Sequence, residues 1–240
     1  MRITSRLVAV ACSALFTAVT SAADFNAIGV LNQAEFRAFS EDVASAISYK
    51  GLIPAEGLGI TGFDLSVAAS ATEVAHRATL SKAAGGATVP KGVPVVGVRA
   101  VKGLPFDIDI GLVQMTLPNT NVRATGGELR WAFVGGSTLL PAVAVRVSGT
   151  SLSGVPQLKM RTLSGDISVS KGFAFLTPYV GVGNVDVKSS APGTTLRAES
   201  FRQNKGFVGV NVALVPFALG LEADKTGDAT SYSVKLALRW

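Results

Sequence analysis

The chain has 240 residues, of which 48% are hydrophobic and 7% are aromatic. It contains 26 glycines, and its formal net charge is +6. This length is typical of a single domain. Its lysines and arginines form no dense tract and no nucleic-acid-binding motif is present, so we expect no nucleic-acid partner. After residue 23 no stretch approaches roughly 18 apolar residues, which excludes a bundle of membrane-spanning helices.

Residues 1–23 have the composition of a secretory signal peptide. Arg2 and Arg6 precede an uncharged run, Leu7–Val19, and four small residues follow it. The run has 13 residues, fewer than the roughly 20 that span a bilayer, which disfavours a transmembrane anchor. Cys12 comes too early in the run for a lipoprotein cleavage site. Cleavage after residue 23 would leave a mature chain without cysteine.

Residues 24–57 predict one amphipathic helix of about four turns and a linker. Asn32 is a typical N-cap, and Glu35, three residues later, completes a capping-box pattern. The apolar face of the helix consists of Phe36, Phe39, Val43 and Ile47, and the helix is expected to end near Gly51. Because this face is apolar, a protein or membrane surface must cover it.

From residue 58 onward the chain repeats a hairpin pattern. Four prolines recur at intervals of 36, 37 and 38 residues between segments of alternating polarity: Pro105, Pro141, Pro178 and Pro216. Proline is tolerated at the start of a strand, so each marks a tight turn. The pattern predicts an all-β, antiparallel, up-and-down transmembrane barrel over 58–240. We expect ten strands, at 58–71, 93–102, 105–115, 124–134, 141–149, 157–169, 178–189, 200–214, 216–225 and 229–240. Twelve are the alternative, if 73–92 forms a further hairpin.

Charged residues indicate which face of each strand points inward, because a charge facing lipid costs several kcal/mol near the bilayer midplane. Asp107 and Asp109 alternate with Phe106 and Ile108, so we place the aspartates inside. The same reasoning gives eleven lumen-lining charges: Arg99, Asp107, Asp109, Glu128, Arg130, Arg146, Asp166, Glu222, Asp224, Lys235 and Arg239. Aromatic residues near strand ends are expected to form an outward girdle: Phe106, Trp131, Phe133, Tyr179, Phe217 and Trp240.

The last nine residues alternate between apolar and polar without interruption. Their apolar face consists of Tyr232, Val234, Leu236, Leu238 and Trp240. This ending resembles the terminal strand of bacterial outer-membrane β-barrels, where a final aromatic residue after alternating hydrophobic residues is the assembly signal. The resemblance implies a barrel in the outer membrane, surrounded by lipid and lipopolysaccharide and recognised by the barrel-assembly machinery through this strand. An even number of strands predicts that both termini are periplasmic.

The inward charges comprise five basic and six acidic residues. A selective pore has one sign in excess at its constriction, whereas balanced charges at low dielectric pair with one another. We expect paired charges, with Glu222 and Lys235 as candidates for one direct pair. The predicted function is a narrow channel or passive transporter of small or hydrophobic solutes. The alternative is a barrel with a filled lumen and a structural or surface-interaction role.

Two positions are open for the amphipathic helix. One is a plug that enters the barrel from the periplasm, similar in concept to the amino-terminal hatch of the outer-membrane long-chain fatty-acid transporters. The other is a cap on the lower rim or a helix at the periplasmic membrane surface. A ten-strand lumen is only slightly wider than that of eight-strand barrels, which side chains alone can fill, so we favour the second position.

Chemistry beyond the lumen has little support in the sequence. His76 is the single histidine, with Glu73 and Ser81 nearby, and such a set could serve a rim hydrolase. Because no motif accompanies it, we predict no catalytic residue, and we also predict no metal site and no cofactor. Basic residues in or beside the outer loops are expected to bind lipopolysaccharide phosphates: Arg77, Lys82, Lys91, Lys159, Arg161, Lys188, Arg197, Arg202 and Lys205.

Overall fold

The computed structural model describes residues 25–240, and ten strands in this range form one closed barrel. The strands are β1 (Phe63–Glu73), β2 (Gly92–Leu104), β3 (Ile108–Thr116), β4 (Arg123–Gly135), β5 (Ala142–Ser153), β6 (Lys159–Ser170), β7 (Leu176–Ser190), β8 (Glu199–Leu214), β9 (Phe217–Thr226) and β10 (Ala229–Arg239). Each pairs antiparallel with its neighbours in sequence, and β1 closes the barrel against β10. The ten-strand prediction is confirmed. The predicted signal peptide, residues 1–23, lies outside the described range.

The two ends of the barrel differ in their connections. At the short-turn end, tight turns at 105–107, 136–141, 171–175 and 215–216 join successive strands. At the long-loop end, strands are joined by 74–91, 117–122, 154–158, 191–198 and 227–228. Trp240 lies at the short-turn end, where its ring stacks on that of Phe63 with centroids 5.2 Å apart.

Within residues 25–240, two α-helices accompany the barrel, α1 (Gln33–Ile47) and α2 (Arg77–Ala83). The predicted capping box begins α1: the Glu35 N–H donates to Asn32 Oδ1 at 2.9 Å, and the Asn32 N–H donates to Glu35 Oε2 at 2.8 Å. Helix α2 lies in the β1–β2 loop, so the twelve-strand alternative is wrong. No helix within residues 25–240 is long and apolar enough to cross a bilayer.

Side chains of the wall alternate between its two faces, as the β pleat requires. Outward side chains are apolar and exposed over the middle of the wall; Leu112 is 69% exposed and Val208 57%. Small polar side chains are buried on the inward face, among them Ser66, Ser148, Ser164, Ser168, Ser170, Ser231 and Ser233. The barrel therefore has an apolar exterior and an interior whose small polar side chains leave room for additional chain.

Candidate functional site

Residues 25–62, which we call the lumen segment, run once through the barrel. At the long-loop end the Ala27 N–H donates to the Ala83 carbonyl at 3.0 Å, and at the short-turn end the Gly103 N–H donates to the Gly62 carbonyl at 3.0 Å. Helix α1 contacts β1, β2, β6, β8 and β10 around the wall. The structure thus places α1 inside the barrel and not at its rim, because the small inward residues of the wall leave space for it.

The direction of the lumen segment changes the expected position of the amino terminus. Phe25, the first described residue, packs in the apolar cluster at the long-loop end, opposite to Trp240. The even number of strands alone predicts that both termini lie at the same end of the barrel. The lumen segment adds one more crossing of the barrel before β1, so the two ends of the described chain lie at opposite rims.

In the half of the lumen near the long loops, α1 is held by apolar contacts. Its predicted apolar face is almost fully buried: Phe36 and Phe39 are 0% exposed, Val43 5% and Ile47 1%. These side chains belong to one buried cluster with residues of the wall and the loops, including Leu117, Val122, Leu152, Leu158, Met160, Val185, Val187 and Phe201. Burying each such side chain contributes about 1.5–3 kcal/mol.

Asp42 provides a buried polar anchor of α1. Its carboxylate accepts the backbone N–H of Ala75 at 3.0 Å and that of His76 at 2.7 Å, which fixes the β1–β2 loop over the helix. Burial raises the pKa of Asp42, although both hydrogen bonds act in the opposite direction. Ser40 adds a hydrogen bond to the Ser189 hydroxyl of β7 at 2.9 Å.

In the half near the short turns, the lumen segment is extended and charged side chains of the wall bind its main chain. Arg130 donates to the carbonyls of Pro54 and Glu56. Glu222 accepts the Leu52 N–H at 3.0 Å. Further contacts of this kind join Arg99 to the Lys50 carbonyl, Lys205 to the Tyr49 carbonyl, Ser170 to the Ala55 N–H and Asp109 to the Leu58 N–H. The wall therefore satisfies backbone groups that would otherwise be buried without partners.

The buried charges also pair with one another. Among the described residues, the ion pairs of the buried wall charges are Lys50–Asp224 (2.8 Å), Arg99–Glu128 (3.8 Å), Arg130–Asp109 (2.5 Å), Arg146–Glu128 (3.5 Å), Arg146–Asp166 (2.9 Å), Lys235–Asp64 (2.8 Å) and Arg239–Asp64 (2.8 Å). The predicted Glu222–Lys235 pair is wrong, because the register sets Glu222 opposite Ser233 and Lys235 opposite Gly220.

Nine of the eleven predicted lumen charges are buried inside the barrel: Arg99, Asp109, Glu128, Arg130, Arg146, Asp166, Glu222, Asp224 and Lys235. Arg239 is only partly buried, at the short-turn rim. Asp107 is exposed and does not line the lumen. Pro105–Asp107 form a tight turn with Phe106 and Asp107 at φ 65° and 55°, so the strand alternation used to place Asp107 does not extend to it.

Among the described residues, three buried ionisable residues of the wall were absent from the predicted lumen set. Asp64 alternates with outward Leu65, so its inward position was readable from the strand pattern. Lys205, expected at a basic outer rim, is 3% exposed inside the lumen. Tyr179, expected in the aromatic girdle, is 3% exposed, and its hydroxyl donates to Glu222 at 3.0 Å. The partners of these residues are far away in sequence, on other strands or on the lumen segment. The local sequence therefore does not indicate which residues pair.

A small cavity adjoins the lumen segment inside the barrel. A cavity of about 30 Å³ lies next to Tyr49, Lys50 and Arg99, which is room for a water molecule. Gly51 allows the lumen segment to pass Arg146, since a Cβ at Gly51 would overlap the guanidinium group. In this arrangement the segment obstructs the path of a hydrated solute.

The structure does not assemble the hypothetical triad of His76, Glu73 and Ser81. Glu73 pairs with Lys91 at 3.4 Å, and the Ser81 hydroxyl donates to the Ala87 carbonyl at 2.7 Å. His76 instead has its Nδ1 atom 3.5 Å from the Asp42 carboxylate. Within residues 25–240, no group of three or more His, Cys, Asp or Glu side chains is arranged to hold a metal ion.

The apolar exterior, the polar interior and the closed antiparallel sheet together define the class of this protein. An outward apolar band around a polar interior is the arrangement that a lipid bilayer requires of a β-barrel. The chain folds as a closed, ten-stranded β-barrel of the transmembrane type.

No family model and no curated protein matches the chain. Among solved structures, the amino-terminal β-barrel domain of Pseudomonas aeruginosa OprF is 9% identical, with TM-score 0.39, over 76% of this chain and 99% of that one. The KdgM porin in complex with disordered oligogalacturonate is 8% identical, with TM-score 0.41, over 73% and 98%. Ail, the attachment invasion locus protein of Yersinia pestis, is 13% identical, with TM-score 0.32, over 77% and 99%. The likeness is one of barrel fold alone.

Proposed function

We propose that this protein is an outer-membrane barrel closed at rest by its own lumen segment, and that small solutes pass only when the segment is displaced. The observation that carries the proposal is the binding of the segment's main chain by buried wall charges, with Arg130 holding Pro54 and Glu56 and Glu222 holding Leu52. In this barrel the lumen segment fills the interior, and the side chains of the wall do not fill it alone. The lumen would therefore open when the segment leaves.

The half of the wall near the short turns supports small polar solutes over hydrophobic ones. With the lumen segment removed, this half of the lining would include serines, threonines and charges of both signs, whereas apolar residues such as Leu152, Met160 and Val187 would line the half near the long loops. The polar half favours water and hydrated solutes, and its mixed charge favours no single ion sign. The proposal places the long-loop end outside the cell, after export by the signal peptide and assembly through the carboxy-terminal strand.

The second candidate function is a structural or surface-interaction barrel whose lumen stays filled permanently. The apolar cluster around α1 favours it, because Phe36 and Phe39 are fully buried and join α1 to the long loops. In this function the lumen segment acts as the core that braces the loops for contact with partners. Solute passage distinguishes the two candidates.

Single-channel conductance in planar bilayers tests the proposal, with refolded protein lacking residues 1–23. The first variant also lacks residues 25–58. In the second variant, a disulfide between Ser40→Cys and Ser189→Cys tethers α1 to β7, because the two hydroxyl oxygens are 2.9 Å apart. Residues 24–240 contain no cysteine that could compete. We expect conductance steps from the deletion variant and from the reduced tether under applied voltage, and none from the oxidised tether.

Two outcomes would contradict the proposal. Steps of full size from the oxidised tether would show that the barrel conducts around a fixed lumen segment. A deletion variant that is folded, as judged by its circular dichroism, and silent would support the permanently filled barrel. The reduced and oxidised forms of one protein provide the matched control, because they differ only in the covalent link.

A further inference from the structure

Three basic side chains lie together on the outward face of β6 and β7 near the long-loop end. Arg161 of β6 is directly opposite Lys188 of β7 in the register, and Lys159 is two residues from Arg161 on the same face. We call these three residues the basic cluster. Among the residues that the structure describes, none of the three forms an ion pair with a carboxylate.

The acidic residues nearest to the basic cluster are already engaged. Asp186 is bound by Arg202, with Nε–Oδ1 and Nη2–Oδ2 distances of 2.7 Å and 3.0 Å. Glu199 accepts a hydrogen bond from Gln33 and pairs with Arg37 at 3.5 Å. The basic cluster therefore keeps its positive charge. Like charges directly opposite each other on a sheet are destabilising, so the arrangement calls for an anion from outside the chain.

The height of the basic cluster on the wall indicates where that anion lies. On the outward face of β6, Val169, Ile167 and Leu163 are exposed apolar residues, and Arg161 is the next large side chain towards the long loops. The apolar wall thus ends where the basic cluster begins, which is the level of the lipid head groups. A surface groove of about 570 Å³ beside the cluster has room for more than one phosphate group.

We propose that the basic cluster binds the phosphates of the lipid A moiety of lipopolysaccharide. An arginine side chain can hold two phosphate oxygens at once, and neighbouring lysines add point charges. Lipid A carries two phosphates on one rigid disaccharide, which fits three adjacent cations better than the single phosphate of a phospholipid does. The inference rests on the outer-membrane placement in the proposed function, with the long-loop end outside, but not on closure of the lumen.

Native mass spectrometry of the refolded chain in detergent tests the proposal. The test variant is Arg161→Gln with Lys188→Gln. The matched control is Arg123→Gln with Lys225→Gln, which removes two exposed cations at the same end whose cross-strand neighbours are uncharged. The probes are bisphosphorylated lipid A, the same lipid without phosphates, and phosphatidylglycerol.

For lipid A we expect affinity to fall about tenfold or more in the test variant and to change by about twofold or less in the control. The dephosphorylated lipid should bind weakly to every form. Equal affinities of the test variant and the control for lipid A would overturn the proposal. Phosphatidylglycerol binding as tightly as lipid A to the unmodified chain would overturn the assignment to lipopolysaccharide.

A second variant separates binding from folding. Arg161→Glu creates a cross-strand ion pair with Lys188, so we expect the urea midpoint of the barrel to stay the same or rise while lipid A affinity falls. Unchanged lipid A affinity in this variant would contradict the proposal. Conductance should be the same as in the unmodified chain, so failure of the lipid A site and failure of the lumen proposal give different results.

Discussion

The two halves of the lumen segment fill one barrel in different ways. Near the long loops, α1 presents an apolar face to an apolar patch of the inward wall, with Phe39 and Ile47 buried. Near the short turns, an extended stretch is held through its main-chain groups, which Arg130 and Glu222 bind, and through the Lys50 side chain, which pairs with Asp224. The first half depends on buried area and tolerates small shifts, whereas the second depends on fixed distances between charges and backbone atoms.

This difference predicts unequal responses to mutation. A lost methyl group in the apolar half leaves a cavity, which neighbouring side chains partly fill. A lost charge in the polar half leaves its partner buried and unpaired, and no rearrangement of apolar neighbours compensates for it. The polar half should therefore be the more sensitive part of the closure.

The largest effect is expected from Arg130→Ala. This change leaves the Asp109 carboxylate, 0% exposed, without its cation and frees two carbonyls of the lumen segment. Removing one partner of a buried ion pair costs about 3–5 kcal/mol of unfolding free energy. Urea unfolding of the refolded barrel measures the loss, and hydrogen exchange at 52–58 should increase as the segment loosens.

Arg202→Ala is the matched control for Arg130→Ala. Asp186 and Arg202 are also directly opposite on neighbouring strands, but their pair lies on the outward face. Exposed ion pairs contribute little, so we expect almost no change in the unfolding free energy. Equal losses in the two variants would show that the buried charges are not what distinguishes the polar half.

A smaller effect is expected from Ile47→Ala in the apolar half. Ile47 is 1% exposed, and truncating a buried isoleucine to alanine costs about 2–5 kcal/mol. Val30→Ala is the control in the same segment, because Val30 is 58% exposed and should matter little. Hydrogen exchange should increase in α1 but stay unchanged at 52–58. Faster exchange in both halves would mean that the segment opens as one unit.

The strand count and most inward charges could be predicted from sequence because polar and apolar residues alternate along each strand with a period of two. Glu128, Arg130 and Arg146 needed only the rule that charges avoid lipid. The capping box of Asn32 and Glu35 was equally readable, since it is a contact over three residues.

The occupied lumen could not be predicted in this way. The contacts that place α1 inside, such as Ser40 with Ser189, join residues far apart in sequence and depend on the volume left by the wall. A count of small inward serines would have indicated that space. The main-chain acceptors of Arg130 at Pro54 and Glu56 have no side-chain signature at all.

The smallest effect is expected from pH. It acts on the unfolding free energy through Asp42, whose carboxylate makes a polar contact within the apolar half. Burial raises the pKa of Asp42 above its ordinary value near 3.8. The native state then binds a proton more readily than the unfolded state, so the contribution of Asp42 to stability is greatest at low pH and falls as pH rises through the raised pKa. Relative to Asp42→Asn, the unfolding free energy of the unmodified chain should therefore decrease as the pH rises from about 4 through the raised pKa.

Comparison with Asp42→Asn is needed because Glu35, a second carboxyl group with a shifted pKa, also makes stability depend on pH. Lys82 lowers the pKa of Glu35, which gives a slope of opposite sign, and His76 lies against Asp42. The Glu35 slope cancels in the difference between the two proteins, and a His76→Gln background removes the histidine. Urea midpoints at several pH values give that difference. If it rises with pH, the hydrogen bonds from Ala75 and His76 outweigh burial at Asp42, and the contrast between an apolar and a polar half would be weaker than the structure indicates.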